Sequence, residues 1–108
     1  NKMIQKALNE NGYKTDEALN IEDAKYFTNI RSYDLIIIDY SFSEKEVIVF
    51  INEIRATFPN TKIIIISDNS NVLTEIKILQ EGADDFLKKP LHFELLLARI
   101  EANIRYTN

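Results

Sequence analysis

Three residues of different chemistry each close an apolar, strand-like run. Asp39 ends Tyr33-Asp34-Leu35-Ile36-Ile37-Ile38-Asp39, Ser67 ends Lys62-Ile63-Ile64-Ile65-Ile66-Ser67, and Lys89 comes late in Asp85-Phe86-Leu87-Lys88-Lys89-Pro90. They are a carboxylate, a hydroxyl and an amine. In an open parallel sheet the carboxyl ends of the strands border the crevice where such folds place their chemistry. If the three runs are parallel neighbours, the three groups converge on one small site. Taken singly, each has a plainer reading: Asp39 as a turn former or helix cap, Ser67 as a turn residue, Lys89 as a solvated strand-end lysine.

The elements that must position them are legible in the apolar pattern. An unbroken run, β-branched at Ile36 to Ile38, is what a strand looks like when both its faces are covered. Ile63 to Ser67 is a second such strand, and Asp85 to Leu87 a short third ended by Pro90. Between them lie helical stripes at Val47, Ile51, Ile54 and Phe58, closed by Pro59-Asn60, and at Val72, Ile76 and Leu79, stopped by Gly82. Phe93, Leu97, Ile100 and Ile104 line a last helix. Upstream, Ile4, Ala7 and Leu8 mark a first helix with Gly12 at its C-cap, and Tyr13 to Ala18 is a weak, polar strand candidate near an edge. Ile21, Ala24, Phe27 and Ile30 mark a second helix with Asn20 as N-cap. Strands alternating with helices over short connections predict an α/β fold, a doubly wound parallel sheet.

Composition narrows the classes. At 108 residues the chain fits one domain, and 45% hydrophobic with 28% charged residues reads as globular. The absence of Cys excludes disulfides and thiolate metal sites. A net charge of −4 leaves no basic surplus for direct nucleic-acid binding. No apolar stretch reaches membrane-spanning length and no basic-then-apolar leader opens the chain, so no membrane partner and a cytoplasmic location are expected. The lone histidine, His92, has no second His or Cys beside it and reads as surface or capping.

With these residues in place, the chain resembles the receiver (CheY-like) domain of two-component response regulators, over residues 1–108 and from the first helix onward. Asp39, Ser67 and Lys89 match the family's phosphoacceptor Asp, Thr/Ser and Lys, at offsets of 28 and 50. Gly82-Ala83-Asp84-Asp85-Phe86-Leu87-Lys88-Lys89-Pro90 is similar to the family's GADD-aromatic segment leading to Lys-Pro. Leu96-Leu97-Ala98-Arg99-Ile100 resembles the last helix of the subfamily with a winged-helix DNA-binding output domain (OmpR/PhoB-type). The resemblance implies a flavodoxin-like strand order 2-1-3-4-5, with the first strand and its acidic pair lying upstream of Asn1.

It also implies roles. Asp39 accepts a phosphoryl group from a sensor histidine kinase, Lys89 pairs with the acyl phosphate, and Ser67 donates to a phosphoryl oxygen. Phe86 takes the aromatic switch position coupled to Ser67. Mg²⁺ is the implied cofactor, with Asp39 and the backbone carbonyl of Ser41 as visible ligands. The domain is a switch catalysing its own phosphorylation and dephosphorylation rather than a metabolic enzyme. It dimerises through the fourth helix, last strand and last helix, with an intermolecular Asp85–Arg99 salt bridge. Where the family has a Lys–Glu pair, Glu75 and Leu95 stand, so the rim is more apolar.

The match departs from the family at several points. Ser43 and Val47 replace the Pro and Gly of the loop after the acceptor. Asp68 replaces a small residue after Ser67, and a second carboxylate there repels an incoming phosphoryl group unless it turns to solvent or caps the next helix. Tyr40 follows the acceptor. Such departures resemble atypical orphan regulators, so the alternative is a phosphorylation-independent receiver acting as a constitutive dimerisation module. A flavodoxin-like cofactor binder is the remaining option, with only two glycines and no Gly-rich phosphate loop to support it.

Overall fold

The computed structural model describes residues 2–39, 44–68 and 71–105. In chain order the elements are α1 (Lys2–Glu10), α2 (Ile21–Ile30), β1 (Leu35–Asp39), α3 (Glu44–Thr57), β2 (Lys62–Ser67), α4 (Val72–Gln80), β3 (Asp85–Lys88) and α5 (Phe93–Arg105). The chain forms two compact units, Asn1–Ser32 and Tyr33–Asn108.

In the first unit, α1 ends at a turn in which Gly12 takes φ 87, the left-handed conformation that favours glycine. The Tyr13 N–H there donates to the Leu8 carbonyl at 3.1 Å. Asn20 caps α2 as its sequence position predicts, its side chain accepting from the Asp23 N–H at 2.8 Å. Tyr13–Ala18 is not a strand. Its residues alternate between half-buried and exposed as a strand's do, but no ladder partner pairs with them among the described residues. The segment is held instead by side chains: Thr15 Oγ1 donates to Asn9 Oδ1, and Asp16 pairs with Arg31 at 3.2 Å.

The second unit is built on a three-stranded parallel sheet in the order β1-β2-β3. Its register aligns Asp39 with Ile66 and Ser67 with Lys88. Ile63, Ile64, Ile65 and Ile66 of β2 are wholly inaccessible, and since consecutive strand residues face opposite sides, both faces of β2 are covered. β1 differs from its sequence reading. Only Ile38 of β1 is buried and its neighbours are half-buried; among the described residues β1 has a strand partner on one side alone. Buried in the helices of this unit are Val47, Phe50, Ile51 and Ile54 of α3, Ile78 of α4, and Leu96 and Ile100 of α5. Val47, the first residue of the helical stripe read from the sequence and the position where the family has Gly, is wholly buried in α3.

Helix α4 corrects the sequence pattern. Val72, Ile76 and Leu79, the expected stripe, are exposed together with Leu73, and Ile78 alone is buried. Apolar residues spread around a nine-residue helix leave the inward face undetermined by spacing.

A cluster at the N-terminal rim of the sheet fixes the strand starts. Arg55, in the last turn of α3, donates through Nε to the Gly82 carbonyl at 2.8 Å, through Nη1 to the Thr61 carbonyl and through Nη2 to Asp84 Oδ2. The Thr61 hydroxyl donates to the Tyr33 carbonyl at 2.9 Å.

Candidate functional site

The opposite rim is where the C-terminal ends of the three strands meet. Lys89 follows β3 directly, and its Nζ lies 3.1 Å from both Oδ1 and Oδ2 of Asp39, the last residue of β1. Ser67 ends β2, the strand between them, and its carbonyl accepts the Lys89 backbone N–H at 2.8 Å. The sheet therefore brings Asp39, Ser67 and Lys89 to one rim, as the alternation of strands and helices requires. Parallel strands have this consequence: residues far apart in the chain that end neighbouring strands must end them on the same side.

The three differ in exposure. The Asp39 and Lys89 side chains are 41% and 40% exposed, so a solute can reach both while they remain paired. Ser67 is 1% exposed, set into the core at the strand end. A wet carboxylate held by an ammonium can act as a nucleophile whose product anion already has a cation waiting.

Other residues singled out in the sequence occupy defined places. Phe86 is 8% exposed in β3, level with Ile65, and its N–H donates to Asp85 Oδ1 at 2.9 Å. Asp68 is exposed, the placement in which water screens its charge. His92 is exposed, and its carbonyl accepts the Leu96 N–H at the start of α5. Asn71 caps α4, its side chain accepting from the Leu73 N–H at 2.9 Å. Tyr40, Ser41 and Ser43 lie outside the described residues, and with them the backbone ligand assigned to Ser41.

Two ion pairs close the face formed by α4, β3 and α5. Arg99 Nη1 lies 3.0 Å from Asp85 Oδ1 within the same chain, the pair that the resemblance places between two copies. Lys88, its side chain 51% exposed, contacts Glu75 at 3.5 Å. Leu73, Ile76 and Leu79 of α4 are exposed apolar side chains, and Leu95 of α5 is 46% exposed.

Sequence reasoning missed Arg55 and the Glu75–Lys88 pair. The signal for Arg55 was available: a basic residue in the last turn of α3 and an acid just after Gly82-Ala83.

The family model for the response regulator receiver domain matches residues 1–101. The chain belongs to the response regulator receiver domain family. It is 33% identical over 103 residues to the cell cycle transcriptional regulator CtrA of Caulobacter vibrioides, covering 95% of this chain and 43% of the relative. It is 26% identical over 98 residues to the virulence transcriptional regulatory protein PhoP of Salmonella typhimurium, covering 91% and 44%. The receiver chain thus spans less than half the length of these curated relatives.

Among solved structures it resembles HP1043, an orphan response regulator of H. pylori, with a TM-score of 0.86 and 31% identity over 96% of this chain and 86% of that one. It also resembles an atypical orphan response regulator whose structure revealed a phosphorylation-independent regulatory mechanism, with a TM-score of 0.83 and 31% identity over 97% and 87%. The fold read from the sequence, a parallel CheY-like α/β sheet, is the fold of these neighbours.

Receiver domains generally bind Mg²⁺ at the phosphorylation site. The described residues of this chain do not by themselves fit the ion. No three His, Cys, Asp or Glu side chains come together among them, and Asp39 is engaged by an ammonium. No described helix is long and apolar enough to cross a membrane.

Proposed function

We propose that this receiver domain is the phosphoacceptor switch of a transcriptional response regulator, with Asp39 as the acceptor. The observation that carries the reading is the Lys89 ammonium seated on both oxygens of Asp39, with Ser67 ending the strand between them. A carboxylate oxygen of Asp39 attacks the phosphorus of a donor, and the bond from phosphorus to the leaving group breaks through a loose, in-line transition state. The donor is the phosphohistidine of a sensor kinase or a small acyl phosphate. One Asp39 oxygen becomes the bridging atom of an acyl phosphate, and the Lys89 ammonium follows the charge onto the phosphoryl oxygens. The Ser67 hydroxyl donates to one of those oxygens. Ser67 moves to make that bond, and Phe86, two residues before Lys88 on the neighbouring strand, is the side chain that responds.

The output is self-association through α4, β3 and α5, which in a full-length regulator pairs two DNA-binding output domains of the winged-helix type. Leu73, Ile76, Leu79 and Leu95 supply the apolar centre of that contact, and Asp85 and Arg99 its charged edge. The domain itself makes no nucleic-acid contact.

A second reading has its own support: the two orphan regulators above, each 31% identical to this chain, one of them phosphorylation-independent. On that reading the same apolar face associates constitutively. Beryllofluoride with Mg²⁺, added to the full-length protein, separates the two. The switch predicts a shift from monomer to dimer in sedimentation velocity. A dimer present at the outset and indifferent to beryllofluoride supports the module.

A further inference from the structure

We propose that Arg55 and Asp84 are positioning residues for Lys89, acting from the far rim of the sheet by fixing the register of β3. The consequence for phosphoryl transfer rests on Asp39 as acceptor; the register effect does not.

β3 has four residues, Asp85–Lys88, and among the described residues one strand partner, β2. So short an edge strand has few ladder bonds to define its alignment. A slip of one residue would send every side chain to the opposite face. Lys88 and Lys89 are adjacent, so a slip would withdraw Lys89 from Asp39 and offer Lys88 in its place. Two lysines in sequence make this error chemically invisible to composition but not to function.

The far rim holds the alignment at the strand's start. The Asp84 N–H donates to the Ile63 carbonyl at 2.8 Å, and Asp84 Oδ2 accepts the Ile63 N–H, also at 2.8 Å. Asp84 therefore grips both backbone groups of a single β2 residue, which admits only one register. Arg55 locks the grip. It pairs with the same Oδ2 and reaches the carbonyls of Thr61, just before β2, and Gly82, just before β3. The Arg55 and Asp84 side chains are 23% and 27% exposed, so water competes weakly for these bonds. Gly82 is shaped to the arginine: a Cβ there would meet Arg55 Cγ at 3.0 Å.

At the other end, the register places the Lys89 N–H on the Ser67 carbonyl and the Lys89 amine on Asp39. Lys89 lies five residues beyond Asp84 along extended chain, about 16 Å at strand rise, so the clamp acts on the site only through alignment.

The test uses the full-length protein with Arg55→Met, which keeps an apolar stem and removes every donor. Asp84→Asn, which keeps one oxygen for the Ile63 N–H, is the milder partner should Arg55→Met fail to fold. Two readouts bear on register directly: acylation of the Lys89 amine relative to Lys88, by mass spectrometry, and amide hydrogen exchange of Lys89 relative to the β1–β2 ladder. The expected result is a severalfold rise in Lys89 acylation over Lys88. Lys89 amide exchange should quicken about tenfold while the β1–β2 amides keep their rates. Arg55→Lys, with charge but no fork, should fall between. A uniform rise across the sheet, or unchanged Lys89 in folded variants, overturns the proposal. Acetyl phosphate then labels the variants more slowly than wild type. A wild type that takes no phosphoryl group removes the acceptor reading and leaves the register result standing.

Discussion

Lys89 and Asp39, 50 residues apart in the chain, are joined by two contacts of equal length between one ammonium and the two oxygens of one carboxylate. The symmetry bears on the proposed chemistry: an acyl phosphate on Asp39 would use one of those oxygens as the bridging atom of a mixed anhydride and would leave the ammonium beside the phosphoryl oxygens. On that proposal the ammonium stands where both the resting carboxylate and the acyl phosphate need a cation.

Lys89→Ala should separate stability from chemistry. Both side chains are roughly two-fifths exposed. Exposed pairs contribute about 1 kcal/mol or less, so thermal unfolding should move little. Phosphorylation of Asp39 by acetyl phosphate should slow by about 100-fold, the scale of removing one charge-stabilising donor. Intact-mass time courses beside calorimetric melts check both parts; a large loss of stability with an unchanged rate contradicts the assignment.

The exposed face of α4 should carry self-association. Leu73 is 71% exposed and Ile76 44%, so Leu73→Asp or Ile76→Glu should alter folding stability by about 0.5 kcal/mol or less. Sedimentation velocity should show the dimer weakened by at least about tenfold, since a charge in an apolar contact is left unpaired. An undiminished dimer would move the contact elsewhere.

The Asp85–Arg99 pair is intrachain in the single chain, and on dimerisation it should exchange partners. Asp85→Arg and Arg99→Asp each create like charges within one copy. Neither variant should self-associate, whereas an equimolar mixture should recover the dimer. If the mixture stays monomeric while both variants are folded by circular dichroism, the pair remains within its own chain.

Gly82→Ala probes the packing behind β3. Gly82 has φ +129, a conformation that L side chains rarely adopt, and the added Cβ would also lie 3.2 Å from Ile51 Cγ2. The substitution should destabilise the protein by about 1–3 kcal/mol in chemical denaturation. A neutral result would mean the loop relaxes freely and holds nothing in place.

Strands were legible in the sequence wherever burial is two-sided, because Ile63 to Ile66 can be nothing but interior. The rim site was legible for the same reason: parallel strand ends fix where Asp39, Ser67 and Lys89 go. Two features escaped. In α4, apolar residues on several faces concealed that Ile78 points inward while Val72, Leu73, Ile76 and Leu79 face out. In Tyr13–Ala18 the period of two was present, but a strand is defined by its partner's backbone, which periodicity does not report. The Arg55 cluster was overlooked although its charged ends, Arg55 and Asp84, stood in the sequence, because the Gly82 and Thr61 carbonyls that complete it carry no residue signature.

Acetyl phosphate and Mg²⁺ with the full-length protein, followed by intact-mass and peptide-level analysis, examine the acceptor assignment without any intermediary. The account predicts a gain of one phosphoryl group, located on the peptide containing Asp39 and absent from Asp39→Asn. A wild type that gains nothing at saturating donor, or an adduct that survives Asp39→Asn, contradicts it.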